Sequence, residues 1–111
     1  MKSKYIFNHK LIITIVRKGQ SHKVIEEAKK QGAERATVFF GRGASDRKIY
    51  EEILGLNYEP EKEVILTAVK DEIVDAVFNA ICDIIKPDKP NAGICFVVNI
   101  DRVRGIRHLI N

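Results

Sequence analysis

Cysteine is scarce in this chain of 111 residues: there are only two, Cys82 and Cys95. They form no Cys-x-x-Cys, and no histidine–cysteine cluster stands at metal-ligand spacing, which argues against a metal site. Each lies inside an apolar run and reads as a buried thiol acting as a small hydrophobe, a usage that suits a reducing cytoplasm. No apolar run approaches the ~20 residues of a membrane span, so the protein is not expected to be membrane-inserted. Residues 1–9 are too few and too polar for a signal peptide and are expected to be a flexible leader. Charge of one sign is also in short supply. Nineteen Lys and Arg against 15 Asp and Glu leave a net charge of +4, and the basic residues are interleaved with acids, so nucleic acid is not an expected partner. His9, His22 and His108 are far apart, fit no metal pattern and are expected to be exposed. No paired carboxylates and no nucleophile–base arrangement point to catalysis, so an enzyme is not expected.

With 45% hydrophobic residues, residues 10–111 can form one domain with a core, although so small a domain gains from oligomerisation. Residues 11–16, Leu-Ile-Ile-Thr-Ile-Val, are rich in β-branched side chains and read as a buried strand. Ser21 is placed to cap a helix whose apolar face carries Val24, Ile25 and Ala28, with Gly32 just past its end. A second strand, residues 36–40, runs into Gly41-Arg42-Gly43. About twenty residues of charged, mixed sequence separate it from a third strand, residues 63–69. Hairpin loops are usually 2–5 residues, and long loops in ordered domains are usually functional. The glycine pair, the arginine between them and Lys62 on the far side suggest a loop that handles an anion or a partner. A plain turn with a solvated arginine and a solvated strand start are the bland alternatives. A second helix carries Ile73, Val74, Val77, Phe78, Ile81, Ile84 and Ile85 at helical spacing and stops at Pro87 and Pro90. A loop through Asn91-Ala92-Gly93 leads to a fourth strand, residues 94–100, and a basic tail follows.

The order β-α-β-β-α-β predicts an α+β, ferredoxin-like fold: a four-stranded antiparallel sheet with both helices on one face. The strands are apolar on nearly every residue, as strands buried on both faces are. The bare sheet face therefore needs a cover, and the economical one is the same sheet from other copies, most simply in a homotrimer.

The strand order, the long loop between the second and third strands, Gly41-Arg42-Gly43, Glu59-Pro60-Glu61-Lys62-Glu63, and Gly93-Ile94-Cys95-Phe96-Val97-Val98 through Asp101-Arg102-Val103 together resemble the P-II signalling protein family of nitrogen regulation. They look most like a divergent P-II-like branch. The resemblance covers residues 10–107. It implies a trimeric, cytoplasmic regulator with no obligatory cofactor that binds ATP, ADP or AMP as effector in clefts between subunits. Its long T-loop, here about residues 42–61, would dock on a regulated partner such as a membrane transporter or a metabolic enzyme.

Carried over residue by residue, the resemblance places Thr37 at the adenine pocket and Gly43 where the T-loop opens. Lys62 stands at the lysine that can meet phosphate, Gly93 at the last glycine of the phosphate-side loop, and Arg107 at the outer of two arginines. Gly41, Arg42, Lys89 and Ala92 complete the expected nucleotide site. The departures are specific. The family's Gly-Asp-Gly-Lys is Asn91-Ala92-Gly93-Ile94 here, so Ile94 replaces a phosphate-binding lysine, and Gly105 stands at the inner arginine. The glutamine that helps hold magnesium and 2-oxoglutarate is missing from the loop. Charge-assisted bonds contribute roughly 1.5–3 kcal/mol each, so a less charged nucleotide than ATP, or none, is implied; Lys89 or Arg104 would partly compensate. Ile49, Tyr50, Ile53, Leu54, Leu56 and Tyr58 are the expected partner-binding residues of the loop, since apolar side chains there suit burial against a target; a short helix packed on the loop's own base is the alternative. Residues flanking Tyr50 and Tyr58 do not match those around the uridylylated tyrosine of nitrogen regulators. A second reading keeps the fold and drops the ligand: an interaction protein with a vestigial cleft.

Overall fold

Alternate residues of the first strand, Ile12, Thr14 and Val16, are almost completely buried, whereas Leu11, Ile13 and Ile15 are only partly so and Arg17 is exposed. That period of two is the signature of a strand with one face on a core. The computed structural model describes residues 8–42, 61–89 and 92–105. Its elements are β1 (His9–Arg17), α1 (Ser21–Lys30), β2 (Thr37–Arg42), β3 (Glu61–Lys70), a 3-10 turn (Asp71–Ile73), α2 (Val74–Ile85) and β4 (Ile94–Asn99). The sheet has four strands in the order β2-β3-β1-β4, and every pairing is antiparallel. Both helices pack on one face, which is the ferredoxin-like arrangement expected from the element order.

The core lies between that face and the helices. Val24 and Ala28 come from α1; Val74, Val77, Ile81 and Ile85 come from α2 at intervals of three and four residues, the spacing that keeps one helical stripe inward. Ile12 and Val16 meet them from β1, Ile65 and Val69 from β3.

Helix α1 ends as its sequence predicts. Gly32 has φ +108; its N–H donates to the Lys29 carbonyl and the N–H of Ala33 to that of Ala28, each at 3.0 Å. This is a Schellman closure, with glycine in the left-handed position. The beginning of α1 differs from expectation. Ser21 is its first helical residue, Gln20 occupies the capping position, and neither side chain caps. The cap comes from β3: a carboxylate oxygen of Glu63 accepts from the Gly19 N–H at 2.6 Å and the Ser21 N–H at 3.1 Å.

The strands run past their apolar cores because ladder pairing uses the backbone and is indifferent to side-chain polarity. Gly41 and Arg42 pair with Lys62 and Glu61, so they continue β2, which was expected to end at residue 40, and do not form the plain turn that was the bland alternative. β1 likewise begins at His9, paired with Lys70. His9 is therefore buried, at 2% exposure, where an exposed leader residue was expected. Cys82 and Cys95 are half-buried, where buried thiols were expected.

The face away from the helices carries Leu11, Ile13 and Ile15 from β1 and Val64, Leu66 and Ala68 from β3, which directly oppose one another across the ladder. Ile94, Phe96 and Val98 extend it on β4. Phe39 does so on β2, opposite Val64. Ile94 is 57% exposed, and Phe39, Phe96 and Val98 are also exposed. Monomeric proteins seldom show a contiguous apolar patch of this extent.

Candidate functional site

Arg17 and Lys62 are direct partners in the β1–β3 ladder, so their side chains leave the same face of the sheet. That face is the open one, because Glu63 and Ile65, alternating with Lys62, point to the core. Two like charges set directly opposite one another are unfavourable in a sheet. Among the described residues no carboxylate stands within ion-pair distance of either. Neighbouring acids are committed elsewhere: Glu61 bonds Lys18 Nζ at 3.0 Å, and Glu63 caps α1. The hydrogen bond to Glu61 and its charge hold the Lys18 ammonium pKa above its ordinary value. The end of the sheet from which the β2–β3 connection departs thus presents a cationic pair with no acidic partner among the described residues, the local requirement for an anion site.

The next strand over completes that end. Ile94 pairs with Ile15, so Gly93 lies against β1 one residue beyond. Gly93 has φ +140, and a Cβ there would stand 2.9 Å from the Ile15 carbonyl oxygen. Only glycine lets the chain pass this close. Two strand spacings separate the Lys62 and Gly93 strands, roughly 10 Å, with Arg17 on the strand between. Lys89 is exposed and closes a turn onto the Lys86 carbonyl, and the Ala92 N–H donates to the Lys89 carbonyl at 3.3 Å.

The other expected residues are more dispersed. Thr37 is exposed on β2, opposite Leu66, roughly 13 Å along the strand from Gly41. Within one chain Thr37, Lys62 and Gly93 do not converge on a single pocket. Among the described residues an added Cβ at Gly41 would meet only Val64 Cγ2, at 4.0 Å, so none of them requires glycine here. Ile94, opposite Ile15, projects from the open face and is exposed. Of Arg42 only the backbone is described. Gly43, Arg107 and the loop residues Ile49, Tyr50, Ile53, Leu54, Leu56 and Tyr58 lie outside the described residues.

Two participants escaped sequence reading. Arg17 lies just beyond the apolar run 11–16, and nothing local marks its pairing with Lys62, 45 positions away in numbering. Glu63 read as a charged strand start, although a single glutamate in phase with Ile65, Thr67 and Val69 was a signal of an inward carboxylate with a partner. At the opposite end of the sheet, His9 lines a pocket of ≈ 190 Å³ together with Gly32, Glu34, Lys70 and Ile73. Its Nδ1 meets Asn8 Oδ1 at 3.0 Å, and its Nε2 has no partner among the described residues. Burial, and secondarily the charge of Lys70, lower its pKa and so favour the uncharged imidazole. Among the described residues no group of His, Cys, Asp and Glu is gathered to hold a metal ion, and no helix is long and apolar enough to cross a membrane.

Known proteins share this architecture. A PII-like signaling protein of Thermus thermophilus superposes with a TM-score of 0.65 at 23% identity, over 86% of this chain and 89% of that one. Arabidopsis thaliana PII bound to citrate superposes with a TM-score of 0.68 at 23% identity, over 90% of this chain and 84% of that one. At that identity the likeness establishes the fold. No curated protein sequence matches the chain. The family model described as "Nitrogen regulatory protein P-II" matches residues 9–109, nearly the whole chain. The protein belongs to the P-II family.

Proposed function

We propose that this protein is a cytoplasmic P-II-type signalling protein that works as a homotrimer. It binds an anionic effector, an adenine nucleotide of low charge such as ADP or AMP, in the clefts between copies. The observation that carries the reading is the Arg17–Lys62 pair, opposed on one face with no acidic partner among the described residues. The open apolar face supports assembly: sheet-to-sheet packing of copies would bury Ile13, Leu66 and Phe96 and bring residues of different chains, Thr37 among them, to one cleft. The citrate on the Arabidopsis thaliana relative is in keeping with a small polyanion as ligand. The effector would act on residues 43–60, the connection that leaves this end of the sheet, and these would regulate a partner protein. It must bind two states of that connection with different affinities, since equal affinity shifts no population.

Calorimetry with ADP, AMP and ATP tests the nucleotide part. ADP binding is expected, and Lys62→Ala or Arg17→Ala should weaken it about tenfold, the equivalent of ~1.4 kcal/mol and close to the lower bound for a charge-assisted bond. No binding of any of the three at millimolar concentration would overturn it. Sedimentation of a dilute sample tests the assembly separately; a compact single subunit would refute it.

Ile94 favours one competing reading. An exposed isoleucine replaces the family's phosphate lysine, which suits an interaction protein that contacts its target, a transporter or an enzyme, without ligand control. Target capture that ignores added nucleotide would select that reading.

A further inference from the structure

Cys95 sits on β4 opposite Thr14 of β1, and the buried Thr14 faces the helix layer. Cys95 therefore turns inward as well; its sulfur lies 3.5 Å from Thr14 Oγ1, and it packs against the core. Helix α2 lies over this part of the sheet and carries Cys82 next to the buried Ile81. The helix packs directly on β4, the two thiols are near enough to perturb each other's ionisation, and both are half-buried, so neither is sealed from solvent. In sequence they are thirteen positions apart with no Cys-x-x-Cys, and only the packing of α2 on β4 makes them a pair. The site belongs to the helix side of the sheet. It is thus separate from the apolar face carrying Ile94, Phe96 and Val98, and remains reachable whether or not copies associate through that face.

We propose that Cys82 and Cys95 form a dithiol site that a low-molecular-weight disulfide converts to an internal disulfide. In the first step the Cys82 thiolate attacks one sulfur of the reagent RSSR. The reagent's S–S bond breaks, one RS⁻ leaves and takes up a proton, and Cys82 carries a mixed disulfide. The Cys95 sulfur, having lost its proton, then attacks the Cys82 sulfur and expels the second RSH. Two protein thiols are oxidised, and one RSSR is reduced to two RSH. The new bond closes a ring of chain that contains the end of α2, Ala92 and Gly93, and so restrains one side of the candidate anion site.

Burial pushes the Cys95 thiol up to about 11 and raises that of Cys82 as well. Thiolate is the attacking species, so conversion is slow at neutral pH and accelerates on alkalinisation. A rise of about tenfold per pH unit is expected well below the thiol pKa values.

The test incubates the reduced full chain with oxidised glutathione at about pH 7 and about pH 8.5, the latter near the ordinary thiol pKa, followed by alkylation and peptide mass analysis. A linked Cys82–Cys95 peptide, loss of both alkylatable thiols, faster conversion at the higher pH and reversal by dithiothreitol are expected. Cys82→Ser and Cys95→Ser should each stop at a single glutathione adduct. A wild-type chain that keeps both thiols free at the higher pH, carries two glutathiones, or links only to other copies would overturn the proposal. The wild-type readout stands alone should either variant fail to fold.

Discussion

Gly93→Ala is expected to destabilise the protein by about 2–4 kcal/mol, combining a strained left-handed backbone with overpacking. The backbone has φ +140, and the added carbon would press on the Ile15 carbonyl oxygen at 2.9 Å, with Val16 Cγ1 at 3.4 Å and Ile85 Cβ at 3.7 Å. None of these yields easily. Ile15 is held in ladders on both sides, and Val16 and Ile85 belong to the core. Two other glycines serve as controls. Gly19 has φ +91 but nothing within 4 Å, so alanine there should cost only the conformational part, about 1–2 kcal/mol. Gly41 has neither a positive φ nor a close neighbour, and its alanine variant should fall within about 0.5 kcal/mol of wild type. Urea denaturation of the three variants checks the ranking; a Gly93→Ala midpoint equal to that of Gly41→Ala would contradict it.

Glu63→Ala is expected to cost about 2–3 kcal/mol, because it leaves the Gly19 and Ser21 N–H groups at a helix start without their charged acceptor. The same carboxylate makes stability depend on pH in a definite direction. Burial pushes its pKa up, but the hydrogen bonds from Ser21 and Gly19 outweigh that and hold it below 4.5 in the folded protein. A carboxyl with a lowered folded value contributes stability above its unfolded pKa and loses it as pH falls through the folded value. The contribution should therefore be complete near neutrality and fade as pH drops below the ordinary carboxylate range. Glu63→Gln keeps an acceptor oxygen but cannot titrate. Its unfolding free energy should lie below that of wild type near neutral pH and converge with it in acid. A gap that stays constant from neutrality down through the carboxylate range would show that Glu63 acts through shape alone.

The residues that announced themselves in the sequence share a local cause. β-branched runs such as Leu11-Ile12-Ile13-Thr14-Ile15-Val16 favour strands wherever they lie. The stripe Val74, Val77, Ile81 and Ile85 needs only its own helix to become a face, and Gly32 and Ala33 close α1 through bonds to residues three and five positions back, respectively. Element order then led to the sheet topology, because split β-α-β units of this length have few ways to pack. The strand ends were misplaced where pairing carried on through polar residues: His9, Gly41, Arg42 and Glu61 owe their places to backbone partners.

What the sequence determined unaided was therefore the set of elements, their order and, through its family motifs, membership of the P-II family. Tertiary structure alone decided that Glu63 caps a helix 42 residues away, that Arg17 confronts Lys62, that Gly93 grazes the Ile15 carbonyl, and that Cys82 meets Cys95. The physical reason is the range of the interactions. Periodicity and capping act within a few residues of chain, whereas these contacts join distant segments that come together only when the helices settle on the sheet and its register is set.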